Sequence, residues 1–420
     1  MKVDNKLESF GRKNRIGATM NRAVVFLLLP WLVGCSHEES IEWQQMRRTV
    51  LVYLAGDNSL SSEVVAKRTA LVRAWRSEIE GRLLIFTDRK GSAPVLEQVS
   101  ERNGLPVADT LRVYANGNSA SGDLLREVIA DMRLLAPAHS YGLWLFSHGT
   151  GWLPSGFFEN PYGTAESETM QVYPEAYCRS NVATRSFARD GHCEMEIADL
   201  KAALPDGLFD FIVFEACFMG NAETMYALRN KAPYMLVSPT EIISPGFALL
   251  YDKVLPKLYE EKADLQSVAE LFYRYFDVQE GAYRGAAITL VNTSGMASLA
   301  DVCRPILQRM VYENATDSTN LPFALVRLSS PDSLHPLDRL NKHLFFDFRH
   351  SFSLIADPYE MKAIDAALKQ VVACYCHTPK MISVSLENTS GLSVYVEQPD
   401  LKNLNNLYRK TEWWIDLVGR

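Results

Sequence analysis

Two short segments carry side chains able to do covalent chemistry. Ser147-His148-Gly149-Thr150-Gly151-Trp152 follows an apolar run over 141–146, and Glu215-Ala216-Cys217 closes another that starts at Phe209. A cysteine attacks as its thiolate, and free thiols are mostly protonated at neutral pH. A nucleophilic Cys217 therefore needs a partner that handles protons, and His148 is the natural one. The two are 69 residues apart in the chain, so only a sheet can bring them together. Gly149 removes side-chain bulk beside His148, and its N–H with that of Cys217 would hold an oxyanion. A helix expected over 219–231 would turn its N-terminus towards the sulfur and favour the negative form. Taken singly, a buried cysteine is more often a packed small residue. The pairing at two strand ends is what gives the reading its weight, because ligands of open α/β sheets collect at the carboxyl ends of the strands.

Glu215 is the next informative residue. A carboxylate ending an apolar strand is costly if left unpaired. In extended chain, residues 215 and 217 face the same side, so Glu215 is expected to line a pocket beside Cys217 and receive a cationic side chain. The alternative is an ion pair with one of the protein's own arginines. Glu241, in Ser238-Pro239-Thr240-Glu241, is a second candidate for that pocket, against a solvated loop charge.

The elements that must position these groups alternate. A near-continuous apolar run over 49–55 reads as a parallel strand covered on both faces. Helical spacing follows to about 80, then a strand over 83–87, a shorter one over 110–114 and a helix over 122–135. The strands before His148 and Cys217 come next, with a short helix over 195–204 between them and a strand over 234–237 after them. Helices near 248–261 and 264–279 precede a strand over 286–290. This β-α-β order predicts a mostly parallel sheet with helices on both faces. Beyond about 300, helices near 295–312 and 359–373 and alternating strands over 382–386 and 392–396 suggest a smaller C-terminal α+β region. The expected division is 1–34 signal peptide, 35–47 tether, 48–300 catalytic domain and 301–420 C-terminal region.

Composition bounds the rest. The chain of 420 residues is 47% hydrophobic and 22% charged, as expected of a globular protein with a sizeable core. Its 43 basic and 50 acidic residues give a net charge of −7, so no basic footprint points to nucleic acid. Arg22 precedes an apolar run over 23–33, too short to span a bilayer and ordered like a secretory signal. Met20 is an alternative start to Met1. The run closes on Leu32-Val33-Gly34-Cys35, which resembles a bacterial lipobox and implies lipidation of Cys35 and a membrane anchor. Removing six basic and two acidic residues with 1–34 leaves 37 and 48, a net −11. Ser36-His37-Glu38-Glu39-Ser40 reads as a flexible acidic tether. Cys178 and Cys193 could pair if their segment loops back. Cys374-x-Cys376-His377 lacks a second ligand pair at zinc-site spacing, so no metal site is expected.

Three segments together resemble the clostripain family of cysteine peptidases, in the caspase-like clan: residues 50–60, the histidine motif over 143–152 and the cysteine motif over 211–220. Weaker echoes lie at Arg185-Ser186-Phe187, at Met195-Glu196-Ile197 and over 390–395. The resemblance implies a caspase-like sheet, a His148–Cys217 dyad and cleavage after arginine or lysine, with the acidic residue before the cysteine reading that side chain. The family usually has aspartate where this chain has Glu215, which leaves the choice between arginine and lysine open. Family members often activate themselves by a cut after the histidine. Here the segment 153–193 would cover the pocket until cut, and Arg179, Arg185 and Arg189 are the available basic sites. No cofactor is required by this chemistry. Some members depend on calcium, which stays open because no EF-hand spacing is present. The expected protein is a lipid-anchored endopeptidase of the bacterial cell envelope, at the outer membrane and in a further reading on its surface. The alternative is a catalytically silent peptide-binding lipoprotein on the same fold.

Overall fold

A computed structural model describes residues 46–115, 117–154, 186–190, 193–315, 333–340, 342–398 and 401–419. The signal segment, Cys35, the tether up to residue 45, Cys178, Arg179 and Arg185 lie outside the described residues.

The described strands of the first half are β1 (Met46–Gly56), β2 (Arg82–Arg89), β3 (Ser92–Arg102), β4 (Leu105–Val113), β5 (Ala138–Phe146), β6 (Ser186–Asp190), β7 (Cys193–Glu196) and β8 (Phe209–Glu215). Then come β9 (Tyr234–Val237), β10 (Ala287–Asn292), β11 (Phe346–Asp347) and β12 (Val372–His377). Nine of them form one sheet in the order β12-β10-β9-β8-β5-β1-β2-β3-β4. Its centre, β2-β1-β5-β8-β9, is parallel, and antiparallel strands extend it at both edges. The expected mostly parallel sheet with helices on both faces is what the chain forms.

Alternation along β1 shows how the sheet is covered. Leu51, Tyr53 and Ala55 enter one core, and Val50, Val52 and Leu54 enter the other, all fully buried. The first core is packed by α2 (Gly122–Leu135), α3 (Ile197–Ala203), α4 (Ala222–Leu228) and α7 (Met296–Ala315). The second is packed by α1 (Ser61–Ala74), α5 (Tyr251–Leu258) and α6 (Leu265–Asp277). Burial on both faces explains why the central strands read as unbroken apolar runs.

Two expectations change. The hairpin of β3 and β4 replaces the single short strand over 110–114, with Asn103 and Gly104 at its turn, both at positive φ. The helix after Cys217 begins at Ala222 rather than near 219. Asn221 is its N-cap, accepting from Thr224 N and donating from Nδ2 to Phe218 O. The C-terminal region packs on the same sheet: β12 is its edge strand, and Trp413 and Tyr395 belong to the first core. Among the described residues no helix is long and apolar enough to cross a membrane.

Candidate active site

β1 feeds β2 on one side, while β5 and β8 lie on the other, so the loops after β1, β5 and β8 meet at the carboxyl edge of the sheet. Within the β5–β8 pairing, Phe146 is opposite Glu215. His148 and Cys217 each follow two residues later, one on each neighbouring loop. Gly149 packs directly on the cysteine. A Cβ there would lie 2.7 Å from Cys217 O and 3.3 Å from Cys217 N, so a larger residue would push the loops apart. Gly151, at φ +59, is likewise pressed against Phe218 O and Asn221 Nδ2. Trp152 is buried and anchors the histidine loop against Tyr395 and Tyr408, with ring centroids 4.7 and 5.3 Å away.

His148 is half-buried, and its Nε2 lies 2.8 Å from Ser59 Oγ, on the turn that ends β1. Burial, and then the charge of Arg189, lower the imidazole pKa. A histidine so placed is neutral at physiological pH and able to accept a proton. Ser59 lies within the 50–60 segment, where its residue type does not single it out. Its signal is position: β1 is next to β5, so the turn after β1 must approach the loop after Phe146 that carries His148.

Cys217 is a free thiol. The Ile242 backbone brackets it, with N–H to Sγ at 3.3 Å and the carbonyl oxygen 3.9 Å from Sγ. Burial pushes its pKa up to about 11; the Ile242 backbone lowers it, Glu241 raises it and Arg339 lowers it. The thiol in this form is therefore neutral. The helix expected directly after the cysteine starts later: residues 218–221 lie between Cys217 and α4.

The pocket role expected of Glu215 is corrected. Its side chain is 1% exposed and forms an ion pair with Lys67 of α1, itself 1% exposed. Phe247 N donates to Oε1 at 2.8 Å, and Trp144 Nε1 and Tyr251 OH donate to Oε2 at 3.0 and 3.2 Å. Lys67 also donates to Pro245 O at 2.9 Å and lies 4.5 Å from the centre of the Phe146 ring. With every lone pair occupied, Glu215 has nothing left for a ligand. The same-side argument failed because β8 ends at Glu215 and the chain then turns. Glu215 joins the second core, whereas Ala216 and Cys217 pack on the first. The internal partner is a lysine, not an arginine.

Glu241 is the acidic residue whose charge acts on the thiol, raising its pKa. It precedes the bracketing Ile242, is 26% exposed, and is held by Arg339 through two bonds, Nε to Oε2 at 2.6 Å and Nη2 to Oε1 at 2.8 Å. Arg189, a candidate cut site, lies in β6 opposite Glu194. Its N–H donates to Ser147 Oγ at 3.2 Å and its carbonyl accepts from Asn58 Nδ2. Cys193 is disulfide-bonded; Cys178, the partner considered for it, is outside the described residues. Cys374 and Cys376 are free thiols 3.5 Å apart on β12.

Comparison with known proteins gives a consistent picture. The clostripain family model matches residues 175–402. The structure resembles that of an inactive zymogen C11 protease from Parabacteroides distasonis, with TM-score 0.73 and 31% identity over 89% of this chain and 99% of that one. A secreted C11 cysteine protease from Bacteroides thetaiotaomicron, solved with an irreversible peptide inhibitor, matches with TM-score 0.70 and 26% identity over 89% and 99%. A further C11 cysteine protease structure from that organism, at 19% identity and TM-score 0.69, shares the fold. No curated protein matches the chain.

Proposed function

This chain belongs to the clostripain family of cysteine-type endopeptidases, and from that premise we propose that it cleaves peptides after arginine or lysine with Cys217 as nucleophile and His148 as general acid and base. The observation that carries the reading is the placement of His148 and Cys217 two residues beyond register partners on adjacent parallel strands, with Gly149 packed between their loops.

In this reading His148, neutral at rest, takes the proton of the Cys217 thiol as sulfur attacks the carbonyl carbon. The N–H groups of Gly149 and Cys217 face the developing oxyanion. His148 then gives the proton to the leaving amine, leaving a thioester, and next takes a proton from the water that hydrolyses it. Ser59 orients the ring. Glu241, not Glu215, receives the basic side chain. Its carboxylate stands beside the residue that grips the sulfur, and it already accepts a guanidinium from Arg339.

The thiol pushed up to about 11 is that of a resting enzyme. A cut within 153–193 releases it, at Arg179 or Arg185 rather than at Arg189, whose backbone is tied to Ser147 and Asn58. The matured chain is carried at the cell envelope by a lipid on Cys35. The chemistry needs no group beyond these residues. Hydrolysis of arginyl, lysyl and aspartyl fluorogenic peptides by the chain from Ser36 onward tests the reading, with and without calcium and beside Cys217→Ala. Turnover of basic peptides only, lost in the variant, supports it. No turnover by folded protein cut at the candidate arginines favours a silent binding lipoprotein.

A further inference from the structure

Arg339 comes from a turn 98 residues beyond Glu241 in the chain, yet its guanidinium lies on that carboxylate and near enough to Cys217 to lower the thiol pKa. The turn is held without it. Asp338 is fully buried and accepts from Leu340 N at 2.9 Å, from Leu344 N and Phe345 N at 2.7 Å each, and contacts His343 Nδ1 at 3.0 Å. Leu337 N donates to Phe345 O at 2.7 Å, and the Phe345 ring stacks on Phe218, the residue after Cys217, at 4.6 Å and 8°. The backbone is therefore docked on the cysteine loop by other groups, while the Arg339 side chain, 39% exposed, projects from it. Arg339 also borders a cavity of about 580 Å³, shared with His335, Asp338 and His343 and large enough to take an arginine side chain.

We propose that Arg339 is a specificity-determining residue, an internal stand-in that occupies Glu241 until the basic side chain of a substrate displaces it. This rests on Glu241 being the residue that reads the substrate. A planar guanidinium fork matches a carboxylate in the same way whether it comes from the chain or from a peptide. The pair is partly solvent-exposed, so it is weak enough for a substrate to compete with. Only a side-chain rotation is needed, because Asp338 and Phe345 keep the turn in place. The device filters substrates: a cation must be able to replace Arg339, and a neutral side chain gains nothing by doing so.

The test uses active wild-type protein, Arg339→Ala, Arg339→Met and Glu241→Gln, with arginyl, lysyl and norleucyl peptides, and with agmatine as a free guanidinium inhibitor. Both Arg339 variants should lower KM for the basic peptides and Ki for agmatine by about 5-fold, leaving the norleucyl KM in place. Basic KM unchanged or raised in both variants, an equal change on the norleucyl peptide, or failure of both variants to fold would overturn the proposal. Glu241→Gln separates the two ideas. If it raises the basic KM while the Arg339 variants do not lower it, only the stand-in is wrong. If it leaves the basic KM alone, the reading of Glu241 itself is wrong.

Discussion

Glu215 lies two residues before the cysteine and Glu241 one residue before the backbone that brackets it, and they live under different physics. Glu215 is 1% exposed, paired with an equally buried lysine and saturated by three further donors. Glu241 is 26% exposed and bound to a single arginine that is itself open to solvent. Two charges taken out of water hold together only with good geometry and satisfied lone pairs, and removing one partner strands the other. Two charges at a surface exchange partners cheaply. Proximity to the nucleophile therefore does not by itself identify the residue that reads a substrate. The first carboxylate is built as a fixed brace between α1, β8 and the segment around Pro245, and the second as a replaceable contact.

The largest effect expected from this contrast is on stability. Glu215→Gln leaves the Lys67 ammonium buried without its counter-charge and should cost ~3 kcal/mol, measured by urea unfolding of the purified chain. Glu241→Gln should cost less than about 1 kcal/mol in the same assay. Equal losses would erase the distinction.

Next in size is selectivity. Glu241→Gln should reduce kcat/KM for arginyl peptides by about tenfold relative to norleucyl peptides. Ser59→Ala should lower kcat for all peptides by a similar, charge-independent factor, about 3- to 10-fold, because it frees the His148 ring rather than a substrate contact. A Ser59 effect confined to basic peptides would contradict its assignment as a positioning residue.

The smallest effect concerns the thiol. In the uncut chain the rate of alkylation by iodoacetamide should climb with pH towards a midpoint of about 11. Glu241 raises that pKa and Arg339 lowers it, so Glu241→Gln should move the midpoint down and Arg339→Ala should move it up. Movement in the opposite senses would mean that these side chains do not face the sulfur.

The parallel strands and the two reactive residues were legible because both signals are local. Central strands buried on both faces write themselves as apolar runs, and each run ended on its chemistry. Glu215 was misread because its partner is not local. Lys67 lies 148 residues earlier, although the sequence carried a trace of it: Val64, Lys67 and Leu71 share one helical face, and all three are buried. A lysine on the apolar stripe of a helix asks for a buried anion. The β3–β4 hairpin was also signalled, by Asn103-Gly104 between two alternating runs. The start of α4 was placed early because Phe218 takes a left-handed conformation, φ 57, which nothing in the residue type announces. Arg339 had no signal at all. It sits on a polar turn without periodicity, and only the docking of Phe345 on Phe218 brings it to Glu241.

One measurement reaches the central claim most directly: kcat/KM on arginyl and norleucyl peptides for wild type, Glu215→Gln and Glu241→Gln, taken at a temperature where all three are folded. The account predicts that Glu215→Gln keeps the preference for the arginyl peptide and that Glu241→Gln loses it. A preference that disappears with Glu215 and survives the loss of Glu241 would contradict the account, and would return the substrate's side chain to the buried carboxylate.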